Sequence, residues 1–313
     1  MRQSKPVASR FQQLNPAHLH HWIGEAQVQS ALGRLPDYIP LLAQADITGL
    51  AMQIQTAEGC WFRSGQTHPP FVLMSVIKPF LLLMLLETLG SQHVFAKVGK
   101  SPSGQPFHSL SQLAADRGFP RNPMINSGAI TLASLLPGRN GSERCEALRQ
   151  WLNQRAGCQL RLDEAMLISV RSLANEANRA IVNLLYQAGY VENIDLALET
   201  YNHICCLSGT IEDLAKLGLM LAIPHLQLQS QHQQIVNALM FTCGLYEVSG
   251  EYAVRIGLPM KSGVSGALIA VIPKEGAIAI YSPAIDVIGN SVAGLFLMGK
   301  LSQALKLSVL AID

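Results

Sequence analysis

Two apolar segments near the C-terminal end of the chain place the strongest constraint on its fold. Residues 267–272 and 277–282 consist almost entirely of apolar residues, and Pro273-Lys274-Glu275-Gly276 separates them. Two β-prone runs joined by a short segment that contains glycine predict an antiparallel hairpin. Because both strands are apolar on both faces, the hairpin should lie at the centre of a sheet that is covered on two sides.

A second hairpin is predicted near the other end of the chain, where residues 50–55 and 60–63 flank a Thr-Ala-Glu-Gly turn. Residues 1–20 are polar, which predicts a ragged end. Apolar residues elsewhere recur with helical spacing, and the predicted helices span 75–89, 108–117, 127–135, 144–154, 163–169, 174–188, 194–200, 210–221, 231–241 and 291–306. The sequence therefore predicts an α+β fold, in which an antiparallel sheet built from both chain ends is flanked by helices and carries a large helical insertion.

The composition agrees with one large folded unit. Of the 313 residues, 49% are hydrophobic and only 14% are charged, so the chain can bury a substantial core. We expect a single catalytic unit over residues 1–313. Its sheet-containing part should comprise residues 20–90 plus 240–313, and its mainly helical part residues 91–239.

Several classes of partner are not indicated. The net charge is +2 without a basic cluster, so neither nucleic acid nor an anionic membrane surface is expected as a partner. The six cysteines show neither C-x-x-C spacing nor a histidine at metal-ligand spacing, which favours reduced thiols over a metal site. The N-terminal residues lack the apolar core of a signal peptide, and the apolar run 71–86 is too short for a membrane span. We therefore expect a cytoplasmic protein with no membrane partner.

Ser75 and Lys78 form an S-x-x-K motif within that apolar run. A serine hydroxyl is a weak nucleophile at neutral pH and needs a base within hydrogen-bond distance. Because helix positions i and i+3 share a face, Lys78 can direct its amine towards Ser75, and burial would lower the lysine pKa until it can act as that base. Pro79 would fall in the first helical turn, which places Ser75 at the helix N-terminus. The alternative is a structural lysine whose amine reaches solvent from a core helix.

A second motif, Lys261-Ser262-Gly263, follows much later, at the start of the C-terminal hairpin. S-x-x-K followed by K-[ST]-G is the layout of serine hydrolases of the β-lactamase and penicillin-binding type. The two motifs together indicate an enzyme with a serine nucleophile.

Further segments match one family, and with them this chain resembles the serine-dependent glutaminases. Two segments are specific: Asn-Pro-Met-Ile-Asn-Ser-Gly-Ala-Ile at 122–130 and Gly-Leu-Pro-Met-Lys-Ser-Gly-Val at 257–264. The matching segments lie in family order at 37–40, 75–78, 102–107, 122–130, 178–181, 201–205, 243–250, 257–264 and 282–291. The resemblance implies a serine β-lactamase-like fold and the hydrolysis of L-glutamine to L-glutamate and ammonia.

The resemblance also implies the catalytic roles. Ser75 would be the nucleophile, Lys78 its base and Tyr246 a proton relay, with Lys261 in support. The reference pKa of tyrosine is near 10, and a neighbouring lysine ammonium is expected to lower the pKa of Tyr246. Considered alone, this tyrosine could equally be a core ring with a satisfied hydroxyl. No metal or organic cofactor is expected, and the enzyme should be a homodimer or homotetramer that binds a small-molecule substrate.

The substrate pocket implied by the resemblance contains five further positions. Tyr38 and Tyr201 would line it, and Asn126 and Asn178 would hydrogen-bond the polar groups of the substrate. The backbone amides of Val264 and of the nucleophile would form the oxyanion hole. From the residues alone, the asparagines could equally be helix caps or turn residues.

Four positions near the expected substrate depart from the family pattern. Met74 replaces a glutamine, Cys206 a serine and Ala177 an arginine. Arg171 stands where the family has a glutamate that pairs with the amino group of the substrate. If the register is kept, Arg171 lines the pocket, where it would repel an ammonium and attract a carboxylate.

Three functions remain open on these grounds. The first is a glutaminase in which another residue, for example Glu176, supplies the missing carboxylate. Glu164 and Glu176 are close in sequence to the expected position of that carboxylate but out of register with it. The second is an amidohydrolase of the same fold for a substrate without a free amino group, such as one with an acid group that Arg171 binds. The third is an inactive homologue that senses a ligand, which the intact catalytic residues argue against. The missing export signal argues against a β-lactamase or peptidase.

Overall fold

The structure is a computed structural model that describes residues 10–66, 69–172 and 176–312. The strands are β1 (Ala51–Thr56), β2 (Gly59–Gly65), β3 (Phe71–Val72), β4 (Arg161–Leu162), β5 (Leu207–Gly209), β6 (Met260–Ser262), β7 (Ala267–Ile272) and β8 (Gly276–Tyr281). The α-helices are α1 (Pro16–Gln29), α2 (Lys78–Leu89), α3 (Ser91–Lys97), α4 (Leu110–Ala115), α5 (Asn126–Ala133), α6 (Gly141–Ala156), α7 (Glu164–Arg171), α8 (Glu176–Gln187), α9 (Ile194–Cys205), α10 (Ile211–Ala222), α11 (Ser230–Cys243), α12 (Ser249–Arg255) and α13 (Val292–Leu305). Short 3-10 helices cover Arg10–Gln13, Ser30–Leu32, Leu42–Gln44, Met74–Ile77 and Tyr246–Val248.

Five strands form an antiparallel sheet in the order β2-β1-β8-β7-β6. Ala51 of β1 and Ala267 of β7 both stand opposite Tyr281 of β8, on its two sides. The N-terminal hairpin therefore lies directly beside the C-terminal hairpin. This arrangement confirms both hairpins, the α+β class and the sheet built from the two chain ends.

The alternation of side chains along β8 divides the apolar core into two layers. Ala277 and Ala279 belong to a cluster that includes α10 and the helical part, whereas Ile278 and Ile280 belong to a cluster that includes α1 and α13. The small side chains allow α10 to approach the sheet closely, since a Cβ atom on Gly218 would lie 2.6 Å from the Ala277 Cβ. The hairpin is thus buried on both faces, as predicted.

Each predicted helical segment coincides with a helix of the structure, whereas α1, α3 and α12 were not predicted from the sequence. Helix α9 continues to Cys205 and does not end at residue 200. Helix α1 begins at Pro16, so residues 16–20 of the expected ragged end are helical: the Asn15 side chain accepts a hydrogen bond from the Ala17 amide, and the apolar stripe of α1 packs in the cluster that contains α13. The first turn of the predicted helix 75–89 is a 3-10 helix. Residues 174 and 175 of the predicted helix 174–188 lie outside the described residues.

A second, smaller sheet was not predicted from the sequence. It has the strand order β3-β5-β4, and its strands are only two or three residues long. The Leu73 amide extends the pairing by donating to the Leu207 carbonyl at 2.8 Å. This sheet anchors the chain immediately before Ser75.

One cluster of buried apolar residues combines side chains of α2, the 91–239 part and the main sheet. The boundaries of the sheet-containing part (20–90 plus 240–313) and the helical part stay a prediction. Within the three described ranges, no helix has both the length and the apolar character needed to cross a membrane.

Candidate active site

Ser75 lies in the short 3-10 helix that leads into α2, with Pro79 in the first turn of that helix. The side chain is buried. Met74, directly before it, has φ +46°, a left-handed backbone conformation that is unfavourable for a residue other than glycine. Such strain is found where the surrounding structure requires a particular backbone course, often at functional sites. The sharp turn directs Ser75 into a cavity.

Lys78 is completely buried at the first position of α2. Its Nζ atom donates hydrogen bonds to Asn126 Oδ1 at 2.8 Å and to the Met124 carbonyl at 3.3 Å. Because burial disfavours the charged form, the pKa of Lys78 falls to about 8. The amine is therefore not reaching solvent from a core helix, and with this pKa about half of the molecules carry a neutral amine at pH 8 and about a tenth at pH 7.

Asn126, the first residue of α5, connects several polar side chains. Its Oδ1 atom accepts hydrogen bonds from Lys78 and from the Tyr201 hydroxyl at 3.0 Å, and its Nδ2 atom donates to Asn178 Oδ1 at 2.9 Å. All four residues are buried. Buried polar networks hold their members in one geometry when the hydrogen bonds are satisfied. From the sequence alone, Asn126 could have been no more than the first residue of a helix, but in the structure it is the centre of this network.

Tyr246 stands on the other side of Ser75, at the start of a 3-10 helix, with φ +59°. Its hydroxyl donates to the Ser262 carbonyl at 3.2 Å. Burial raises the pKa of Tyr246 far above its usual value, and a hydrogen bond from the Ser75 side chain opposes this rise. Tyr246 therefore keeps its proton while it contacts Ser75.

Lys261 of β6 is also completely buried, and its Nζ atom lies 4.3 Å from the centre of the Tyr246 ring. It donates to the carbonyls of Gly244 and Ser262. Burial and, secondarily, the charge of Lys78 lower the pKa of Lys261 well below its usual value. The expectation that a lysine ammonium lowers the pKa of Tyr246 is thus wrong, because burial acts against the charged form of both groups and dominates.

The segment after β6 lies directly against the turn that carries the nucleophile. A Cβ atom on Gly263 would be 2.7 Å from the Leu73 carbonyl oxygen and 3.3 Å from the Val76 nitrogen, so only glycine permits this approach. Among the described residues, neither the Ser75 nor the Val264 amide has a hydrogen-bond acceptor. Two unoccupied backbone donors near a nucleophile can stabilise negative charge on a carbonyl oxygen.

A cavity of about 870 Å³ opens onto Ser75. This volume lies in the range typical of small-molecule sites. Tyr246 and Lys78 lie behind the lining. Tyr246 is connected to it by its hydrogen bond with Ser75, and Lys78 by its hydrogen bond to Asn126. The predicted site residues in the lining are Tyr38, Ser75, Asn126, Asn178, Tyr201 and Val264.

Arg171 does not lie in this cavity, which corrects the expectation from the register. It is the last residue of α7, its side chain is exposed, and its guanidinium lies 3.2 Å from the Glu199 carboxylate. Val170 lines the cavity in its place. The ion pair with Glu199 on α9 holds the guanidinium at the exposed surface, where it also keeps its solvation.

Four carboxylates line the cavity, and only one of them was considered from the sequence. This one is Glu176, the first residue of α8, whereas Glu164 is exposed and outside the lining. The others are Asp37, Glu247 and Asp286. Asp37 and Asp286 belong to the family-matching segments 37–40 and 282–291, but no role was predicted for their carboxylates, and Glu247 falls at a position that the matching segment 243–250 leaves unspecified.

Cys205, at the end of α9, also lines the cavity, and no role was predicted for it. It follows Tyr201 by four residues, so both lie on one helix face. Its thiol forms a hydrogen bond with Tyr201, and burial raises the thiol pKa to about 11, an effect that Lys78 opposes. The Tyr-x-x-x-Cys spacing was the sequence signal from which the position of Cys205 beside Tyr201 could have been predicted. The thiol is protonated and serves as packing beside the polar network.

The sequence comparisons point to one family. A sequence model of the Glutaminase family matches residues 33–310. A glutaminase of Synechocystis sp. is 47% identical over 284 residues, which cover 90% of this chain and 87% of that protein. A glutaminase of Alkaliphilus oremlandii is 35% identical over 289 residues, which cover 89% of this chain and 94% of that protein.

Comparison with solved structures leads to the same family. A probable glutaminase from Bacillus subtilis, solved in complex with 6-diazo-5-oxo-L-norleucine, superimposes with a TM-score of 0.85 at 30% identity and covers 99% of both chains. A covalent complex of a Bacillus subtilis glutaminase with 5-oxo-L-norleucine, formed by reaction with the same diazo compound, has a TM-score of 0.85 at 31% identity and covers 94% of this chain and 100% of that one.

Proposed function

This chain belongs to the glutaminase family, and we infer from that membership that it hydrolyses L-glutamine to L-glutamate and ammonia. The observation that carries the assignment to chemistry is the cavity itself: Ser75 and Asn126 both line it, Tyr246 is hydrogen-bonded to Ser75, and buried Lys78 is hydrogen-bonded to Asn126. An amide hydrolase needs a nucleophile, a base, an acid for the leaving group and an oxyanion site. Side chains and amides of this chain provide all four.

In the first half of the proposed reaction, neutral Lys78 takes the proton of the Ser75 hydroxyl while the serine oxygen bonds to the amide carbon of glutamine. The amide oxygen becomes an oxyanion that the Ser75 and Val264 amides stabilise. Tyr246 gives its proton to the amide nitrogen and receives one from the Lys78 ammonium. The carbon–nitrogen bond then breaks, ammonia leaves, and a glutamyl ester of Ser75 remains.

The second half hydrolyses this ester. Water attacks the ester carbon and gives a proton to Lys78, and the same two amides stabilise the second oxyanion. When the carbon–oxygen bond to Ser75 breaks, the serine oxygen recovers a proton from Lys78, and glutamate leaves. Lys261 supports the site by packing against the Tyr246 ring and binding the Gly244 and Ser262 carbonyls.

We also propose that the four protein groups suffice without a metal or organic cofactor, and that the enzyme acts in the cytoplasm. The location is supported by the six free cysteines, of which five are buried, since free thiols are typical of a reducing compartment. A homodimer or homotetramer is supported by large apolar side chains that are strongly exposed in the single chain, such as Leu226, Val254 and Ile312. Light scattering of the purified enzyme tests the oligomer.

The alternative substrate without an amino group loses its main support, because Arg171 lies outside the cavity. The remaining test is direct. Ammonia release is measured with L-glutamine, L-asparagine, N-acylated glutamine and simple dicarboxylic monoamides. We expect L-glutamine to give the highest kcat/KM. A higher value for an N-acylated or amino-free amide would contradict the proposed function.

The covalent step has its own test. The 5-oxo-L-norleucine complex described above belongs to a Bacillus subtilis glutaminase, and the same diazo compound should label Ser75 here, as detected by peptide mass spectrometry. Labelling at Cys205 in place of Ser75 would contradict the assignment of the nucleophile.

A further inference from the structure

We propose that Glu176 binds the α-ammonium group of the substrate and so provides the charge selectivity that position 171 does not supply. This inference rests on the proposed function, because it assumes that L-glutamine is the substrate. Glu176 lines the cavity and begins α8. It is a specificity-determining residue, whereas Arg171 is directed away from the cavity by its ion pair with Glu199.

The polar network indicates where the amino-acid end of the substrate lies. Ser75 reacts with the side-chain amide, and the row Lys78–Asn126–Asn178 leads from the catalytic end to the first turn of α8. In an extended glutamine, the amide carbon and Cα are three bonds and about 4 Å apart, so the charged end reaches only a short distance along this row. Glu176 precedes Asn178 by two residues in the same helical turn, and although positions i and i+2 do not share a helix face, both residues line the cavity, which therefore covers the N-terminal end of α8.

The other carboxylates of the lining are less suited to this role. Asp286 Oδ1 already accepts hydrogen bonds from the Ile288, Gly289 and Asn290 amides at 2.9, 2.8 and 2.9 Å, so it organises its own loop. Asp37 is exposed in the turn before Tyr38.

Glu247 is the main competitor. Its Oε2 atom is buried without a hydrogen-bond partner among the described residues. It follows Tyr246, however, and therefore belongs to the catalytic end, where the uncharged amide reacts. An ammonium bound there would place the wrong end of glutamine at Ser75.

The charges around Glu176 permit a cationic ligand. The nearest cation in sequence on α7, Arg171, is paired with Glu199, and Arg179 on α8 lies close to Asp195 at 3.3 Å. Arg34 is the arginine of the cavity lining and is available to the substrate carboxylate. The cavity therefore offers four carboxylates against one arginine, which favours a ligand with an ammonium group.

The test compares two substrates that differ only in the ammonium group: L-glutamine and glutaric acid monoamide. Steady-state kinetics are measured for the wild type, Glu176→Gln, Glu176→Asp and the matched cavity variant Glu247→Gln. Hydrogen bonds to charged groups contribute an amount equivalent to about 10- to 100-fold in affinity. We expect Glu176→Gln to lower kcat/KM for L-glutamine by this factor, mainly through KM, and to change the value for the monoamide less than twofold. Glu176→Asp should retain part of the preference.

Each of the other possible kinetic results contradicts one specific part of the proposal. An equal loss for both substrates in Glu176→Gln means that Glu176 acts only on the stability or position of α8. A selective loss for L-glutamine in Glu247→Gln assigns the ammonium to Glu247. If the wild-type enzyme hydrolyses the monoamide but not L-glutamine, the proposed glutaminase function fails. If the wild type hydrolyses L-glutamine but Glu176→Gln affects both substrates equally, only the assignment of the ammonium site to Glu176 is refuted. Because Glu176 is exposed, the variant should melt at the wild-type temperature.

Discussion

The two ends of the cavity are built on different physical principles. At the catalytic end, Lys78 and Lys261 are completely buried, and Ser75, Asn126 and Tyr246 are nearly so. At the other end, between α7 and α8, the charged groups are exposed: Glu176 and Asp37 line the cavity, and Arg171 lies outside it.

The difference follows from what each end must do. A general base that acts near neutral pH requires an amine with a lowered pKa, and burial is the means by which this protein lowers the pKa of Lys78, whereas it keeps Tyr246 protonated as a proton donor. Recognition of a charged substrate requires only a carboxylate at the right position, and such a group retains its charge at low cost when water reaches it. Substitutions at the buried end should therefore act on kcat, and those at the exposed end on KM.

The largest effect is expected for Ser75→Ala. Without the nucleophile no acyl-enzyme forms, so kcat for L-glutamine should fall by about 10⁴-fold or more. Initial rates of ammonia release measure the loss, and Ser111→Ala on α4 is the matched control for an exposed serine outside the cavity. A Ser75→Ala enzyme with wild-type turnover would contradict covalent catalysis and the whole assignment of the buried end.

Lys78→Met should lower kcat by about 10²- to 10⁴-fold, the range expected for loss of a general base. The free energy of unfolding should stay the same or rise, because an uncharged side chain of similar length replaces a buried amine. Urea denaturation measures stability, and Lys97→Met on α3 is the control. Unchanged kcat would mean that Lys78 is a structural lysine only, and the contrast between the two ends would disappear.

The pH profile tests the shifted pKa directly. The base must be neutral, so kcat/KM should decrease by about tenfold per pH unit as the pH falls below about 8, where Lys78 becomes protonated. Rates between pH 5 and 11 under conditions of low substrate concentration show this limb. A limb centred near pH 10, the value of an unperturbed lysine, would show that burial does not set the reactivity of Lys78.

The smallest effect is expected for Arg171→Ala. The exposed ion pair with Glu199 contributes about 0–1 kcal/mol, and the side chain lies outside the cavity lining. We expect kcat and KM for L-glutamine to change less than twofold. A large decrease in KM would show that Arg171 repels the substrate ammonium after all, as the position in the sequence had predicted.

Much of the fold could be predicted because the relevant patterns are local. The apolar strands β7 and β8 and the helices α10 and α13 show clear periodicity, and burial follows from it. The small sheet of β3, β4 and β5 could not be predicted, because two or three residues give no periodic signal and the pairing joins segments distant in the chain. Helix α1 was missed because its exposed face is polar, which resembles an unfolded end.

The site shows the same division between local and long-range information. The spacing of Ser75 and Lys78 and the Lys261-Ser262-Gly263 motif drew attention to residues that the structure places in and around the cavity, but not to the hydrogen-bond partners of Lys78, which are the Met124 carbonyl and Asn126. The register around residue 171 predicted a reversed charge in the pocket. Glu199 on α9, which no local pattern connects with Arg171, holds the guanidinium outside.

The sequence by itself thus determined the fold class, the sheet made from both chain ends and the identity of the nucleophile and base candidates, because apolar periodicity and i, i+3 spacing are properties of neighbouring residues. The tertiary structure alone decided which charges enter the cavity and how far each pKa moves. Burial and ion pairing depend on side chains from α5, α8, α9 and β6 that meet only when the chain is folded. For this reason Arg171 points to Glu199, and Tyr246 keeps its proton beside a buried lysine.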